Sequence, residues 1–218
     1  MREIDLSVYF IMGSSNVKNG NPLKVLEQAL RGGITCFQLR EKGPDALQGD
    51  EKLAFAKSCQ RLCVAFGVPF IVNDDVELAV QIDADGVHVG QDDGCAAEVR
   101  SKIGDQKLLG VSVHSVGEAT AAVAADADYI GMGPVFKTVS KADAKPVAGT
   151  TRISEVVSLI PDLPIVGIGG ITANNLDIVM KSGASGVSVI SAIASAENPE
   201  MAARSIFDAV QHTEVNVK

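Results

Sequence analysis

The sequence alternates between short apolar runs rich in β-branched residues and segments in which apolar residues recur at helical spacing. Eight apolar runs predict strands at residues 6–12, 34–39, 69–72, 86–89, 108–112, 129–132, 164–168 and 186–190. Eight segments predict helices at residues 22–31, 46–66, 76–82, 95–103, 116–125, 152–160, 174–181 and 199–210. Because the strand runs are almost continuously apolar, we expect a parallel sheet that is covered on both faces.

This alternation favours an α/β fold of the (β/α)8 TIM barrel class, formed as one domain by residues 1–218. Each unit would have about 27 residues, which is compact but sufficient for such a barrel. A doubly wound open sheet is the alternative, and it would place a Gly-x-Gly-x-x-Gly turn after the first strand. The segment Met12-Gly13-Ser14-Ser15 lacks that pattern, so the barrel is favoured.

The composition is that of an ordinary globular protein, with 46% hydrophobic and 21% charged residues. A net charge of −8 and the lack of any Lys/Arg block argue against nucleic acid as a partner. No apolar stretch is long enough for a membrane span or a signal peptide, so we expect a cytoplasmic protein without a membrane partner. A homo-oligomer is compatible with the sequence, which identifies no interface.

Two of the four cysteines, Cys59 and Cys63, lie four residues apart on a predicted helix, a spacing that could suggest a metal pair. No second Cys/His pair at a metal-binding spacing accompanies them. We therefore expect buried or half-buried thiols, which stay reduced in the cytoplasm.

Acidic residues follow two consecutive predicted strands, as Asn73-Asp74-Asp75 and as Asp92-Asp93. A helix between two strands makes them parallel neighbours, so both clusters should lie at the same edge of the sheet. Crowded carboxylates repel each other unless a cation compensates them, which predicts a divalent-metal site. Helix capping is the competing interpretation, and we expect one acid of each cluster to act as a cap as well.

The ends of the second and fifth strands carry further polar residues. Strand alternation places Gln38, Arg40 and Lys42 on one side, a set suited to an anionic or heterocyclic substrate. An ion pair with a carboxylate of the third strand is the alternative for Arg40. Ser112 lies at the predicted rim, whereas His114 is either an acid/base group or a hydrogen-bonded structural histidine.

The rim opposite these residues has the features of a phosphate site. The predicted sixth strand precedes a long loop at residues 137–149, which we interpret as a lid or binding loop, with a solvated surface loop as the alternative. Its hydroxyls and cations are Thr138, Ser140, Lys141 and Lys145. Barrels often bind phosphate with backbone N–H groups after strands 7 and 8, where this chain has Gly169-Gly170 and Ser191-Ala192, a possible extra helical turn.

Taken together, the motifs resemble the thiamine phosphate synthase family over essentially the whole chain. They are QLREK at 38–42, VND at 72–74, GVHVGQDD at 86–93, GVS at 110–112, DYIGMGP at 128–134, TVSK at 138–141, GIGG at 167–170 and VIS at 189–191. The resemblance implies a transferase of thiamine biosynthesis. It would join 4-amino-5-hydroxymethyl-2-methylpyrimidine diphosphate to 4-methyl-5-(2-phosphoethyl)thiazole, or its carboxylated form, giving thiamine phosphate and diphosphate.

The resemblance also implies roles for individual residues. Asp74 and Asp93 would hold Mg²⁺, and Asp75 and Asp92 remain caps or supporting groups. The residues implied to contact the pyrimidine diphosphate are Gln38, Arg40, Lys42, Asn73, Ser112 and Lys141, of which Lys42, Lys141, Arg40 and Ser112 are the catalytic candidates. Those implied to surround the thiazole phosphate are Thr138, Ser140, Gly170, Ile190 and Ser191.

Three rival functions stay open. A thiazole tautomerase of the same superfamily resembles this chain in the barrel and the phosphate cradle, but lacks the paired acids and the lysine after strand 2. A sugar-phosphate epimerase or aldolase barrel needs an acid/base pair or a Schiff-base lysine at the barrel centre. A non-catalytic ligand-binding barrel is excluded only by an assay.

Overall fold

A computed structural model of the chain describes residues 4–18, 20–138, 140 and 146–215. Within these residues eight parallel strands form a closed barrel in sequence order. The strands are β1 (Val8–Met12), β2 (Cys36–Leu39), β3 (Phe70–Asn73), β4 (Gly86–Val89), β5 (Leu108–Val113), β6 (Tyr129–Met132), β7 (Ile165–Ile168) and β8 (Gly186–Val189). Strand β8 closes the barrel by pairing with β1, with Val8 opposite Val187 and Phe10 opposite Val189. The predicted (β/α)8 barrel is confirmed.

Helices cover the outside of this barrel. They are α1 (Pro22–Gly32), α2 (Gly49–Phe66), α3 (Val76–Gln81), α4 (Ala96–Ile103), α5 (Val116–Ala124), α6 (Thr151–Leu159), α7 (Leu176–Lys181), α8 (Ser191–Ala194) and α9 (Pro199–Val215). A main core lies between helices and sheet, and a second, smaller core fills the barrel interior around Tyr9, Ile71 and Tyr129. Because both faces of every strand are covered, the strands need no polar face, which explains their continuous apolar runs.

Two helix boundaries differ from the sequence prediction by more than two residues. One is the end of α9, which was predicted at residue 210 and lies at Val215. The helix predicted at 46–66 begins at Gly49, because the Leu47 N–H donates to Glu41 Oε2 (2.9 Å) instead of entering the helix. The short helix α8 after β8 was predicted as an extra turn and is present. A 3₁₀ turn at Ser14–Asn16 was not predicted.

Among the described residues, no helix has both the length and the apolar character that crossing a bilayer would require.

The capping prediction is right for the first acid cluster and wrong for the second. Asp75 Oδ1 accepts from the Leu78 N–H (2.9 Å) at the start of α3. Helix α4 begins after Cys95, and within the described chain that residue makes no side-chain capping bond. Asp93 Oδ2 instead accepts from the Gly90 N–H (3.2 Å) and closes the turn of residues 90–93. The second cluster therefore shapes the rim of the barrel and leaves the helix uncapped.

Replacing Asp75 with alanine is expected to destabilise the fold by about 1–2 kcal/mol, since the cap is lost together with the Lys52 Nζ contact at 2.6 Å. Burial alone would raise the pKa of Asp75, but Lys52 and the Leu78 N–H outweigh it and lower that pKa. A lowered folded-state pKa means that the stabilisation is present above the ordinary aspartate range and fades as pH falls through the folded-state value. Urea unfolding of wild type and variant between pH 7 and pH 3 measures this.

The matched control for this prediction is Asp75→Asn. Its side-chain oxygen retains the cap and its charge is lost, so it should fall between wild type and Asp75→Ala at pH 7. A difference between wild type and Asp75→Ala that grew as the pH fell would contradict the assignment.

Three of the four cysteines, all in described residues, are buried: Cys36, Cys59 and Cys63. Burial raises the pKa of each of these thiols well above its usual range. The fourth, Cys95, is exposed. We expect a single thiol of the folded chain to react quickly with a disulfide reagent such as DTNB, and all four to react in denaturant. Cys95→Ser should abolish the fast phase; a fast phase that survived it would contradict the described packing.

A buried ion pair lies at the amino end of the strands, opposite the predicted site. Arg100 of α4 donates through Nη2 to Asp128 Oδ2 (2.7 Å), and the side chains are only 9% and 3% exposed. The same carboxylate accepts from the Leu109 N–H (2.8 Å). Arg100 also donates to the carbonyls of Gly104 (2.9 Å) and Lys107 (2.7 Å). This pair ties α4 to the starts of β5 and β6.

Candidate active site

The carboxyl ends of the strands surround a cavity of about 570 Å³. Six of the eight residues predicted for the pyrimidine diphosphate and its metal line it: Arg40, Lys42, Asn73, Asp74, Asp93 and Ser112. A smaller cavity of about 180 Å³ lies beside it and shares the residues Thr138, Ile168 and Gly169 with the first. All five residues predicted for the thiazole phosphate line the smaller cavity: Thr138, Ser140, Gly170, Ile190 and Ser191. The two predicted substrate sets thus adjoin each other.

Two predicted residues are not among those that line the cavities in the described part of the chain. Gln38 on β2 is buried and does not line either cavity, two positions before Arg40, which does. Its Oε1 atom has no hydrogen-bond partner among the described residues. Lys141 lies outside the described residues, as does Lys145, so the role of Lys141 stays a prediction.

The acids predicted to share a cation converge on one point. Lys42 Nζ lies 2.9 Å from Asp74 Oδ2 and 3.5 Å from Asp93 Oδ1. The pKa of Asp74 is raised, first by its partial burial and then by the negative charge of Asp93, while the Lys42 hydrogen bond opposes the shift. Two carboxylates from adjacent strands therefore face each other across a cation.

The backbone of Asp74 has a left-handed conformation, with φ at 61°. Its N–H donates to the His88 carbonyl of the neighbouring strand (2.9 Å), which fixes the turn. Among residues other than glycine, Asn and Asp adopt this backbone conformation most readily. Strained positions of this kind cluster at functional sites. The conformation turns the Asp74 carboxylate to face Asp93.

The carboxylate pair is suited to Mg²⁺ and not to a metal ion whose ligands all come from protein side chains. In the described part of the chain no group of three or more His, Cys, Asp or Glu side chains converges on one point. Mg²⁺ is usually held by one or two carboxylates together with water and substrate phosphates. Asp74 and Asp93 meet that requirement.

A chain of hydrogen bonds crosses the barrel interior beneath the larger cavity. Gln38 Nε2 donates to the Tyr9 hydroxyl (2.8 Å), which lies 2.7 Å from the Tyr129 hydroxyl. His88 Nδ1 lies 3.3 Å from that second hydroxyl, and His88 Nε2 lies 2.9 Å from Ser112 Oγ. Burial raises the pKa of both tyrosines well above the usual value, so both phenols are neutral. This series of hydrogen bonds fixes Ser112 at the floor of the larger cavity.

Two interior glycines make room for this chain. A Cβ on Gly110 would lie 2.4 Å from His88 Nδ1 and 2.2 Å from the Tyr129 ring, and one on Gly131 would lie 3.3 Å from the His88 ring. That His88 and the two tyrosines form this series of hydrogen bonds was not predicted from the sequence. The signal available was a set of polar residues at inward positions of strands that are otherwise apolar.

The far rim of the larger cavity carries His114, Glu118 and Arg152. Glu118 Oε2 accepts from the His114 N–H (2.7 Å) and lies 3.2 Å from His114 Nδ1. Arg152 Nη1 donates to the His114 carbonyl (2.6 Å). Of the two interpretations of His114, these contacts favour the hydrogen-bonded structural histidine. Arg152 in the cavity was not anticipated, because its sequence position predicted only the start of a helix.

The smaller cavity is built from close backbone approaches. Gly170 has a φ of 65°, and a Cβ there would lie 2.6 Å from the Lys137 carbonyl oxygen. Asn175 Nδ2 donates to the Gly170 carbonyl (3.0 Å), and Ser140 Oγ donates to Ser191 Oγ (3.0 Å). Glycine is required where the loop after β6 packs on the end of β7. The result is a small cavity with the hydroxyls of Ser140 and Ser191 at its edge.

Comparisons with known proteins agree with this geometry. The family model described as thiamine monophosphate synthase matches residues 8–193. Thiamine-phosphate synthase of Geobacillus kaustophilus is 59% identical over 206 residues, covering 94% of this chain and 92% of that protein. The enzyme of the same name from Bacillus velezensis is 53% identical over 212 residues, covering 97% and 94%.

Among solved structures, the thiamine phosphate pyrophosphorylase from Pyrococcus furiosus superposes with a TM-score of 0.85 at 32% identity. The superposition covers 96% of this chain and 97% of that one. The family expected from the motifs is therefore confirmed. By its sequence and by its fold, the chain belongs to the thiamine monophosphate synthase family.

Proposed function

We propose that this chain joins 4-amino-5-hydroxymethyl-2-methylpyrimidine diphosphate to the thiazole phosphate, forming thiamine phosphate and releasing diphosphate. The observation that carries the proposal is the pair of adjoining cavities, one with cations and acids and the other with hydroxyls and glycines. They share Thr138, Ile168 and Gly169, so two anionic substrates bound in them would touch. The relatives named above carry the synthase name, which disfavours the tautomerase alternative.

The larger cavity is suited to a diphosphate. Asp74 and Asp93 would hold Mg²⁺, which when bound neutralises negative charge on the departing diphosphate. Lys42, now placed between these acids, and Arg40 supply further positive charge to the same group. Lys141 is proposed to add a third cation. Charge neutralisation makes diphosphate a good leaving group.

The pyrimidine ring is proposed to bind between the diphosphate site and the smaller cavity. Ser112, held by His88, offers a fixed hydroxyl. Gln38 is also proposed to contact the ring, which would require its buried side chain to turn toward the cavity; its carbonyl oxygen has no hydrogen-bond partner among the described residues. Asn73 lines the same space. These polar groups would orient the ring, since a buried acceptor without a partner costs about 1–3 kcal/mol.

The reaction needs no side-chain nucleophile. The amino-pyrimidine can stabilise a methylene cation once diphosphate departs, and the thiazole nitrogen then attacks that carbon in a largely dissociative reaction. Thr138, Ser140, Gly170, Ile190 and Ser191 are proposed to hold the thiazole phosphate so that its nitrogen faces the larger cavity. The protein then contributes positioning and charge neutralisation.

We further propose that the chain acts in the cytoplasm, as a single barrel domain, on small-molecule substrates. The three buried thiols are compatible with a reducing compartment.

The test is incubation of both substrates with and without Mg²⁺, with separation of the products. We expect thiamine phosphate and diphosphate in equal amounts, only when both substrates and Mg²⁺ are present. A rearranged thiazole without diphosphate release would indicate a tautomerase instead. Binding of either compound without any product would indicate a non-catalytic barrel.

A further inference from the structure

We propose that Glu41 is a positioning residue that holds Arg40 and Lys42 toward the diphosphate site. The proposal rests on the proposed function, since it assumes that these two cations act on a diphosphate. Glu41 lies between them in the sequence, and strand alternation turns it away from the cavity that Arg40 and Lys42 line.

The Glu41 carboxylate has three donors from two parts of the rim. Oε1 accepts a short hydrogen bond from the Ser14 N–H. Oε2 accepts from the Ser14 hydroxyl (2.9 Å) and from the Leu47 N–H (2.9 Å). Ser14 begins the 3₁₀ turn after β1, and Leu47 lies just before α2. A single carboxylate therefore joins the loop after β1 to both ends of the loop after β2.

The loop that Glu41 closes has no regular structure of its own from residue 40 to residue 48. Its start is fixed by the Arg40 N–H, which donates to the Met12 carbonyl (3.0 Å). Gly13 packs so closely there that a Cβ would lie 2.2 Å from the Arg40 carbonyl oxygen. Beyond that point the side chain of Glu41 links the loop to Ser14 and draws Leu47 back toward the strand end.

Lys42 depends on this loop for its place between the two acids. Its ammonium reaches Asp74 and Asp93 from a segment whose backbone is otherwise bound mainly at its start. Releasing the Glu41 contacts would let the segment drift away from the cavity. A misplacement of about 1 Å is enough to reduce turnover on the order of 100-fold.

The test compares Glu41→Ala and Glu41→Gln with a matched control, Asp85→Ala. Asp85 Oδ2 also accepts from a backbone N–H, that of Phe70 (2.8 Å), but at the opposite end of the barrel. Binding of inorganic diphosphate with Mg²⁺ is measured by titration calorimetry. We expect Glu41→Ala to weaken it about 10-fold or more, Glu41→Gln to weaken it less, and Asp85→Ala to leave it within about 2-fold despite a lower melting temperature.

A double-mutant cycle with Lys42→Ala tests whether Glu41 acts through its neighbour. We expect the double variant to bind diphosphate less weakly than the sum of the two single effects predicts, because the part of the Glu41 effect that acts through Lys42 is lost and only the part through Arg40 remains. In steady-state kinetics, Glu41→Ala should have a lower kcat/KM for the pyrimidine diphosphate than wild type. Its KM for the thiazole phosphate should stay within about 2-fold of the wild-type value.

The outcomes separate the two claims. If Lys42→Ala does not weaken diphosphate binding, the proposed diphosphate site is wrong, and the role of Glu41 fails with it. If Lys42→Ala weakens binding but Glu41→Ala behaves like Asp85→Ala, or the two effects add fully, the proposed site stands and the positioning role of Glu41 is overturned.

Discussion

Asp74→Ala is expected to lower kcat by about 100-fold or more while the barrel remains folded, and saturating Mg²⁺ should not restore the rate. Asp74 and Asp93 lie 2.9 and 3.5 Å from the same Lys42 ammonium, which shows that the two carboxylates converge. Removal of Asp74 would therefore leave only one of the two carboxylates that are proposed to hold Mg²⁺. Turnover measured against Mg²⁺ concentration, beside far-ultraviolet circular dichroism, checks both parts. Lys42→Ala is expected to lower kcat similarly, since it removes charge from the same leaving group.

Two further variants make this result interpretable. Asp74→Asn accepts the left-handed backbone at φ 61° and keeps the shape of the side chain, so it should fold normally and still lose most of the activity. Asp92→Ala is the control, because Asp92 lines the same cavity beside Asp93 without contacting Lys42 in the ion pairs of the described residues. Near-wild-type turnover in Asp74→Asn would show that the metal assignment is wrong.

The barrel and the placement of the acid pair could be predicted from sequence because both follow from local patterns. Apolar runs of strand length set the number of strands, and parallel strands end at the same edge, which brings Asp74 toward Asp93. The smaller cavity was predictable for the same reason, since the barrel fixes where the ends of β7 and β8 lie.

The contacts that hold these groups could not be predicted in the same way. Tyr9 and Tyr129 meet across the barrel although 120 positions separate them in the chain. Alternation predicts that both point inward, but it does not say which strands face each other across the interior. The three hydrogen-bond donors to the Glu41 carboxylate could not be predicted either, because they depend on how two loops pack against each other. Side-chain partners between distant elements therefore needed the structure.

The largest effect on stability is expected from the buried ion pair at the opposite end of the barrel. Asp128→Ala should lower the free energy of unfolding by about 3–5 kcal/mol, because the guanidinium of Arg100 would remain buried without its buried counter-charge. The Leu109 N–H would lose its acceptor as well. Guanidinium chloride unfolding, followed by circular dichroism at 25 °C, measures the change.

Asp126→Asn is the matched control, since its carboxylate lies 3.6 Å from Arg100 Nε but is 76% exposed. An exposed pair contributes at most about 1 kcal/mol, so this variant should stay close to wild type. A loss in Asp128→Ala no larger than that of Asp126→Asn would contradict the role of the buried pair. Folded Asp128→Ala should keep its kcat, because the pair lies at the amino ends of the strands and the proposed chemistry at the carboxyl ends. The two variants would then separate the two faces of the barrel experimentally. Asp74→Ala would lose turnover and keep its stability, and Asp128→Ala would lose stability and keep its turnover.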